Sequence, residues 1–533
     1  MGYRAAARKR DRTTMFASPG GAGTSSETPR ASSSIGSPNV MTRRVTPLRS
    51  CKRRRHSLSQ DGVSDCEHDH QSEGLRLHFE KRKKQKKWLC ERERALCANS
   101  LHKILRRELS NAGNRGFVKR ASSEKFKRMR VQQMFNTYDA RENRRWKLSF
   151  LRKRSRVVEI VGAKGMIFAL AHSGVCAAFC RETNKRLCYL NTQDDEVVRS
   201  LFYNKNNETL ITVSVYATDN YSSLKCRSTP LEFIRRGKPQ EGGMALFEEE
   251  SLQWPGFVEF DDVNGKVLTY NAHKHVYKVF DLKNYELLYD ISDAAVSELK
   301  VSPGILLLIH DYEGKDHVPL KILSVEDGNV LKEFKHDLLP GRTVDFVEQF
   351  DEKLLVKQEK ENLRIADVCT GTCIEVANTQ FMNPNAFIFL YENHLFLTFR
   401  DSQVQVWNFK GELVTSFEDH LLWHPNCNTN NIFITQEQDL IVSYCKPNAE
   451  GSEKSAASIN VSSILTGKCQ AKLGQGQGDE EEEMDASLVL RSPGGNRVSG
   501  DAALGDVTAL FYNEERNEIY TGNASGRVYV WAN

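Results

Sequence analysis

The chain has 533 residues, of which 39% are hydrophobic and 27% charged, and a formal net charge of +6. It holds no apolar run of 18 residues, which excludes an ordinary membrane-spanning helix, and its 13 cysteines show no disulfide framework, as expected of a reducing compartment. The small net charge hides two opposed halves: residues 1–156 carry 40 Lys and Arg against 14 Asp and Glu, and residues 157–533 carry 35 against 55, so a +26 arm precedes a −20 body. Such asymmetry points to a basic segment that meets an anionic partner.

Residues 1–83 read as a disordered basic arm. Ser, Thr, Gly, Pro and Arg dominate residues 1–75, which have too few aromatic and branched side chains to offset the entropy of ordering. Two dense runs, Lys52-Arg53-Arg54-Arg55 and Lys81-Arg82-Lys83-Lys84 followed by Lys86 and Lys87, read as nuclear-import signals or nucleic-acid patches. The nucleus is the expected location, with the cytoplasm as the alternative; the Arg- and Ser-rich first 50 residues also fit an organelle transit peptide. Thr46, before Pro47, suits a proline-directed kinase, and Ser57, after Arg54 and Arg55, suits a basophilic one. A phosphate at either would weaken the hold of the neighbouring basic run on an acidic partner.

From residue 84 to 145 the pattern is that of a basic helical segment. Between Lys84 and Leu109, the residues Leu89, Leu96, Cys97, Leu101, Ile104 and Leu105 fall on one helical side, and Asn111 to Gly116 supply a stop. The stripe is expected to pack on the folded domain with its charges solvated, or to set Lys and Arg on phosphates. No RNA-recognition motif or zinc finger is legible, so any nucleic-acid contact would be backbone-directed and poorly sequence-specific.

Residues 146–533 carry a recurring hairpin. VFDLKNYELLYDI, ILSVEDGNVLKEF, IADVCTGTCIEVA and VWNFKGELVTSF each join two alternating apolar runs through a polar residue and a tight turn around Gly or Asn. With Phe280, Leu323, Ala366 and Trp407 aligned, the steps are 43, 43 and 41 residues, the length of a four-stranded propeller blade. Weaker copies align Phe179 and Ser462, and the last set of strands ends at Trp531. That set lacks an outermost strand, which Trp146–Lys153 is expected to supply from the N-terminal side, closing the ring. The 101 residues between Phe179 and Phe280 leave room for two steps of about 50, which gives eight blades, or seven if this stretch is an insertion.

These features resemble a divergent WD40-repeat, or transducin-like, propeller, and are similar to uncharacterised transducin-like proteins of land plants. The resemblance rests on the turn at Thr370 and Gly371 and on Asp281, Asp367, Trp407 and Trp531 as structural residues at blade ends. Neither Trp is followed by Asp, and His336 and His420 alone stand for the family's Gly-His pair. The fold expected is all-β, a WD40-like propeller with a basic extension that is partly disordered and partly helical. The function expected from a +26 arm joined to a −20 ring is that of a non-catalytic nuclear scaffold, the ring binding proteins while the arm contacts chromatin, RNA or an acidic partner. The alternative, which the resemblance implies, is a substrate receptor of a cullin-type ubiquitin ligase, with Asp281 and Lys283 as the nearest residues to an adaptor contact.

No Walker loop, nucleophile elbow or kinase signature occurs, so neither an enzyme nor a cofactor is expected. His420, His424 and Cys427 lack a fourth ligand, and Cys66, His68 and His70 lie in the arm, so no metal site is expected either. The cysteine pairs Cys176/Cys180 and Cys369/Cys373 read as packing residues. Residues 446–505, with the run Asp479–Glu483, break the repeat and read as a disordered acidic insertion that serves solubility or folds back on a basic partner such as the arm.

Overall fold

A computed structural model of the chain describes residues 74–85, 125–126, 128–400, 403–417, 432–445, 457–474 and 503–533. Helix α1 (74–85) comes first, followed by strand β1 (Arg130–Asn136). Seven antiparallel sheets of four strands then follow in chain order. Blade 1 is β2 (Val157–Ala163), β3 (Met166–Ala171), β4 (Cys176–Cys180) and β5 (Arg186–Tyr189). Blade 2 is β6 (Glu196–Asn204), β7 (Thr209–Tyr216), β8 (Lys225–Pro230) and β9 (Met244–Leu246), with short helices α2 (Leu231–Arg235) and α3 (Pro239–Gly242) inside its last connection. Blade 3 holds β10 (Phe257–Asp261), β11 (Lys266–Asn271), β12 (Val276–Asp281) and β13 (Leu287–Ser292), and blade 4 holds β14 (Val296–Ser302), β15 (Ile305–His310), β16 (His317–Ser324) and β17 (Val330–Asp337). Blade 5 comprises β18 (Val344–Phe350), β19 (Lys353–Gln358), β20 (Leu363–Asp367) and β21 (Cys373–Val376). Blade 6 comprises β22 (Ala386–Leu390), β23 (Leu395–Arg400), β24 (Gln403–Asn408) and β25 (Leu413–Phe417). Blade 7 comprises β26 (Ile432–Ile434), β27 (Leu440–Cys445), β28 (Ser458–Ser463) and β29 (Cys469–Leu473).

The eighth sheet, β30 (Val507–Asn513), β31 (Glu518–Asn523) and β32 (Arg527–Ala532), takes its fourth strand from β1. β1 runs antiparallel to β32, with Val131 opposite Trp531 and Phe135 opposite Val528. The propeller therefore has eight blades. Trp146–Lys153, the expected closing strand, is not a strand at all. It follows a 3-10 turn at Glu142–Arg145 and packs on blade 1, where the Trp146 ring meets Tyr189 edge-on at 5.7 Å and Arg145 lies over the same ring at 4.2 Å. Trp146 and Leu151 are buried as a plug while Phe150 of the same segment is exposed, and the closing strand lies in a stretch read as part of a basic helical segment.

Eight seams hold the ring. Each is an apolar cluster shared by neighbouring sheets, as in Phe168, Leu170, Val198 and Leu201 between blades 1 and 2, or Ile167, Phe179, Tyr520 and Val528 between blades 8 and 1. Both faces of each sheet are thus covered, and a strand covered on both faces needs no polar alternation. That is why the second strands read as continuous apolar runs, MIFALA in β3 and ILLLI in β15, all buried. The fourth strands lie at the rim, where Leu287, Val330, Ile374 and Leu413 are exposed.

The repeat seen in the sequence has a structural cause. At Phe179, Phe280, Leu323, Trp407 and Ser462 the third strand shifts register against the fourth, a bulge just before the hairpin turn. Thr229 takes this position in blade 2, 50 residues after Phe179 and 51 before Phe280, one residue before the Pro230 that pairs with the first residue of β7. The poorly marked stretch is a blade. Its signature is faint because α2 and α3 replace the tight turn. In blade 7, β28 and β29 lie inside the expected insertion of residues 446–505, and Ala503 and Leu504 are buried against them, so those parts of it are ordered. The acidic run Asp479–Glu483 lies outside the described residues.

Closure brings the first and last blades into tight contact. Thr508 Oγ1 donates to the Val157 carbonyl at 2.5 Å, and a Cβ at Gly522 would stand 2.6 Å from the Val157 side chain. A chain starting at residue 120 keeps β1 and is expected to melt cooperatively. One starting at residue 138 leaves the β32 ladder open and is expected to aggregate or unfold without a cooperative transition, which thermal melts followed by circular dichroism distinguish.

Candidate functional site

The turns between third and fourth strands explain the polar residue of each repeat. Asp281 Oδ1 accepts the Lys283 amide at 2.6 Å, Asp367 Oδ1 accepts those of Cys369 and Thr370 at 2.9 Å, and Asn408 Oδ1 accepts that of Lys410 at 2.9 Å. A carboxylate or amide here mimics a turn of backbone. Four residues beyond Asp367, Gly371 has φ +72°, and four beyond Asp281 the same left-handed backbone is held by Tyr285 at +63°. The Tyr285 hydroxyl is anchored by the amides of Asn204 at 2.9 Å and Asn207 at 3.1 Å from blade 2. Burial would raise the Asp367 carboxyl, but Lys353 at 2.7 Å and the two amides hold it below the usual range. The Asp281 carboxylate is thus engaged within its own hairpin, and Lys283 lies beside it on the exposed turn.

The two repeat tryptophans do the same work in two blades. Trp407 Nε1 donates to Thr398 Oγ1 at 3.2 Å and Trp531 Nε1 to Thr521 Oγ1 at 3.0 Å, each buried and each linking third strand to second. Replacing Thr521 by Val removes the acceptor and leaves a buried indole N–H unpaired. The expected loss is about 1–3 kcal/mol in chemical denaturation, with Thr521→Ser recovering most of it.

One place where the charged arm meets the ring is α1. α1 occupies residues 74–85, so the arm is helical earlier than expected, and ten residues of the segment read as disordered are ordered. Leu75 and Phe79, four apart and so on one helical face, are 0% and 4% exposed. They join the cluster of Ile305, Leu307, Val347 and Leu354 that fills the seam of blades 4 and 5. Leu77 faces away, 52% exposed.

Polar contacts continue from the apolar pair toward the basic end. His78 Nε2 donates to the Gly304 carbonyl at 3.2 Å, Arg82 stands 3.9 Å from Asp351, and Lys83 Nζ binds Glu352 at 2.9 Å. Gly304, Asp351 and Glu352 belong to the turns joining first to second strands in blades 4 and 5. Gly304 has φ +77°, a backbone that favours glycine, and a Cβ on it would lie 2.4 Å from the Arg82 side chain, which would have to move. Burial pushes the Asp351 carboxyl up and neighbouring Glu352 adds to it, whereas Arg82, His394 and Lys83 pull it down. Arg82 also feels Glu326 and Asp261 from the adjoining turns. The ring thus offers an acidic ledge, and α1 brings cations to it. Lys81 and Lys84 stay exposed, and Lys83 is 55% exposed even in its ion pair.

The other site expectations fall in two groups. Lys52 to Arg55, Thr46, Ser57, Lys86, Lys87, the stripe from Leu89 to Leu105, and the His and Cys groups at 66–70 and 420–427 lie outside the described residues. Cys176 and Cys180 stand at opposite ends of β4, while Cys369 and Cys373 flank the turn at Gly371; all four are free thiols. Among the described residues no three His, Cys, Asp or Glu side chains gather as a metal site, and no helix is long and apolar enough to cross a membrane. The contacts of Leu75, His78, Phe79 and Arg82 with the ring went unread in the sequence. Their signal was the four-residue spacing of Leu75 and Phe79 ahead of a basic run.

Burial lowers the pKa of His78, and Arg82 on α1 adds to this, while the Gly304 carbonyl, Asp327 and Glu326 oppose it. A base whose pKa falls on docking favours the docked state above its free value of 6.5 and disfavours it as pH drops through that value. Hydrogen exchange of amides 74–85, corrected for intrinsic rates, is therefore expected to quicken relative to the ring between pH 7.5 and about 5.5.

No curated protein matches the sequence. Among solved structures, the computationally designed Ika8 protein is similar over 72% of this chain and 97% of its own, at 17% identity and a TM-score of 0.43. BamB from Moraxella catarrhalis is similar over 76% of this chain and 98% of its own, at 12% identity and a TM-score of 0.37. A family model described as a domain of unknown function, DUF7899, matches residues 114–531, a span that runs from just before β1 to the end of β32, and the chain belongs to that family.

Proposed function

We propose that this protein is a non-catalytic interaction scaffold of the WD40 type that works in the nucleus, its ring binding proteins and its arm contacting chromatin, RNA or an acidic protein. The observation that carries this reading is the division of charge, +26 over residues 1–156 and −20 over residues 157–533. A closed ring supports the scaffold role because eight blades hold many loops on a rigid frame, free to differ in sequence. The buried Trp to Thr bonds in blades 6 and 8 support the WD40 type, since they give the repeat tryptophan a defined partner. Exposed Lys81 and Lys84 leave part of the second basic run open to an anionic surface even with α1 seated. Long-range attraction to such a surface falls with ionic strength.

The test uses the full chain with a fluorescent tag. Wild type is expected in the nucleus, and a variant with Ala at Lys52, Arg53, Arg54, Arg55, Lys81, Lys84, Lys86 and Lys87 is expected in the cytosol. Cytosolic wild type would overturn the nuclear reading, and nuclear retention of the variant would remove the basic runs from it.

A further inference from the structure

The seam of blades 4 and 5 does more than anchor the arm. The described part of α1 is held by the ring at two kinds of contact, Leu75 and Phe79 in the seam and Arg82 and Lys83 on the ledge. The ring side suits a cation: half-buried Asp351 stands beside Glu352, with Glu326 and Asp261 near enough to act on the same guanidinium. Asp351 has φ +46°, a backbone that Asp and Asn tolerate better than other side chains, and it presents its carboxylate to both Arg82 and His394. Two of the cations that would contact an anionic partner are the two that the ring holds.

We propose that this groove and ledge form an intramolecular latch for the basic run: α1, seated in the seam, holds Arg82 and Lys83 in ion pairs with Asp351 and Glu352, so that seating of α1 and engagement of both cations by an acidic partner compete with one another. The occupant is the chain's own segment 74–85, which has an apolar pair spaced four apart and an Arg-Lys pair three and four residues after the second apolar residue. The proposal rests on the reading of the arm as an anion-contacting element. If the competent, undocked form is a fraction of the whole, apparent affinity falls by that fraction.

The experiment compares the full chain with Leu75→Asp/Phe79→Asp, which unseats α1 without changing one basic residue, and with Asp351→Asn/Glu352→Gln, which weakens the ledge and keeps the seam. The probe is a fluorescein-labelled polyglutamate peptide at low salt, with hydrogen exchange of residues 74–85 read on the same samples. Wild type is expected to show protected amides and weak binding. The seam variant should lose protection and bind roughly tenfold more tightly, as for a helix seated in about nine molecules in ten, and the ledge variant should fall between. Lost protection with unchanged affinity would overturn the latch alone. Unprotected amides in wild type would overturn it too, since the helix would then not be seated. Absence of binding by all three chains would overturn the reading of the arm, and the latch with it. The ledge variant stays informative if the seam variant aggregates.

Discussion

Everything in the ring depends on the pairing of β1 with β32. A sheet with an open edge offers unpaired donors and acceptors, and a ring with one incomplete blade is such an edge. Residues 130–136 fill it by laying Phe135 opposite Val528 and Val131 opposite Trp531, and the Phe135 ring then stacks on Phe179 of blade 1 at 4.8 Å. One strand thus completes a sheet and contributes to the neighbouring seam. The plug that follows, with Trp146 and Leu151 buried and Tyr189 donating to Asn143 Oδ1 at 2.7 Å, fastens the same stretch to the rim of blade 1.

The second organising element is charge. A basic arm joined to an acidic ring will be drawn to its own body wherever geometry allows, and at α1 the apolar seam makes the attraction specific. Exposed ion pairs alone stabilise little, because solvent screens them and long side chains lose freedom. Here the pairs of Arg82 and Lys83 sit beside two buried apolar anchors, which supply the main favourable term. The pairs then set orientation, placing the basic end of α1 over the turns of blades 4 and 5 rather than elsewhere on an acidic surface.

How much of this was legible in the sequence follows from how local each feature is. The hairpins at Phe280, Leu323, Ala366 and Trp407 were legible because turn and polar cap lie within a dozen residues, joined in three of the four by a bulge, and spacing favoured eight blades over seven. The closing strand was not, because RVQQMFN has only a short apolar alternation and sits in a basic stretch that dominates any window. The stretch Trp146–Lys153 reads as the closing strand, yet its Trp146 and Leu151 are buried by side-chain packing rather than by a ladder. Seating of α1 was illegible for a different reason: Asp351, Glu352 and Gly304 lie more than 200 residues away, and nothing local to LRLHFEKRKK names them.

The pairing of β1 with β32 also has a meaning in time. The two strands are separated by about 390 residues of chain, so at a synthesis rate of roughly 5–20 residues per second β1 exists for on the order of 20 to 80 seconds before its partner is made. During that interval seven blades can form from local hairpins, each on its own sequence neighbours, but the circle stays open and β1 has no ladder to join. Ring closure is the most non-local strand pairing among the described residues, and it is made last. The arm that precedes β1 is tethered to an unfinished strand throughout, so the nascent protein carries its strongest positive charge next to its least protected edge.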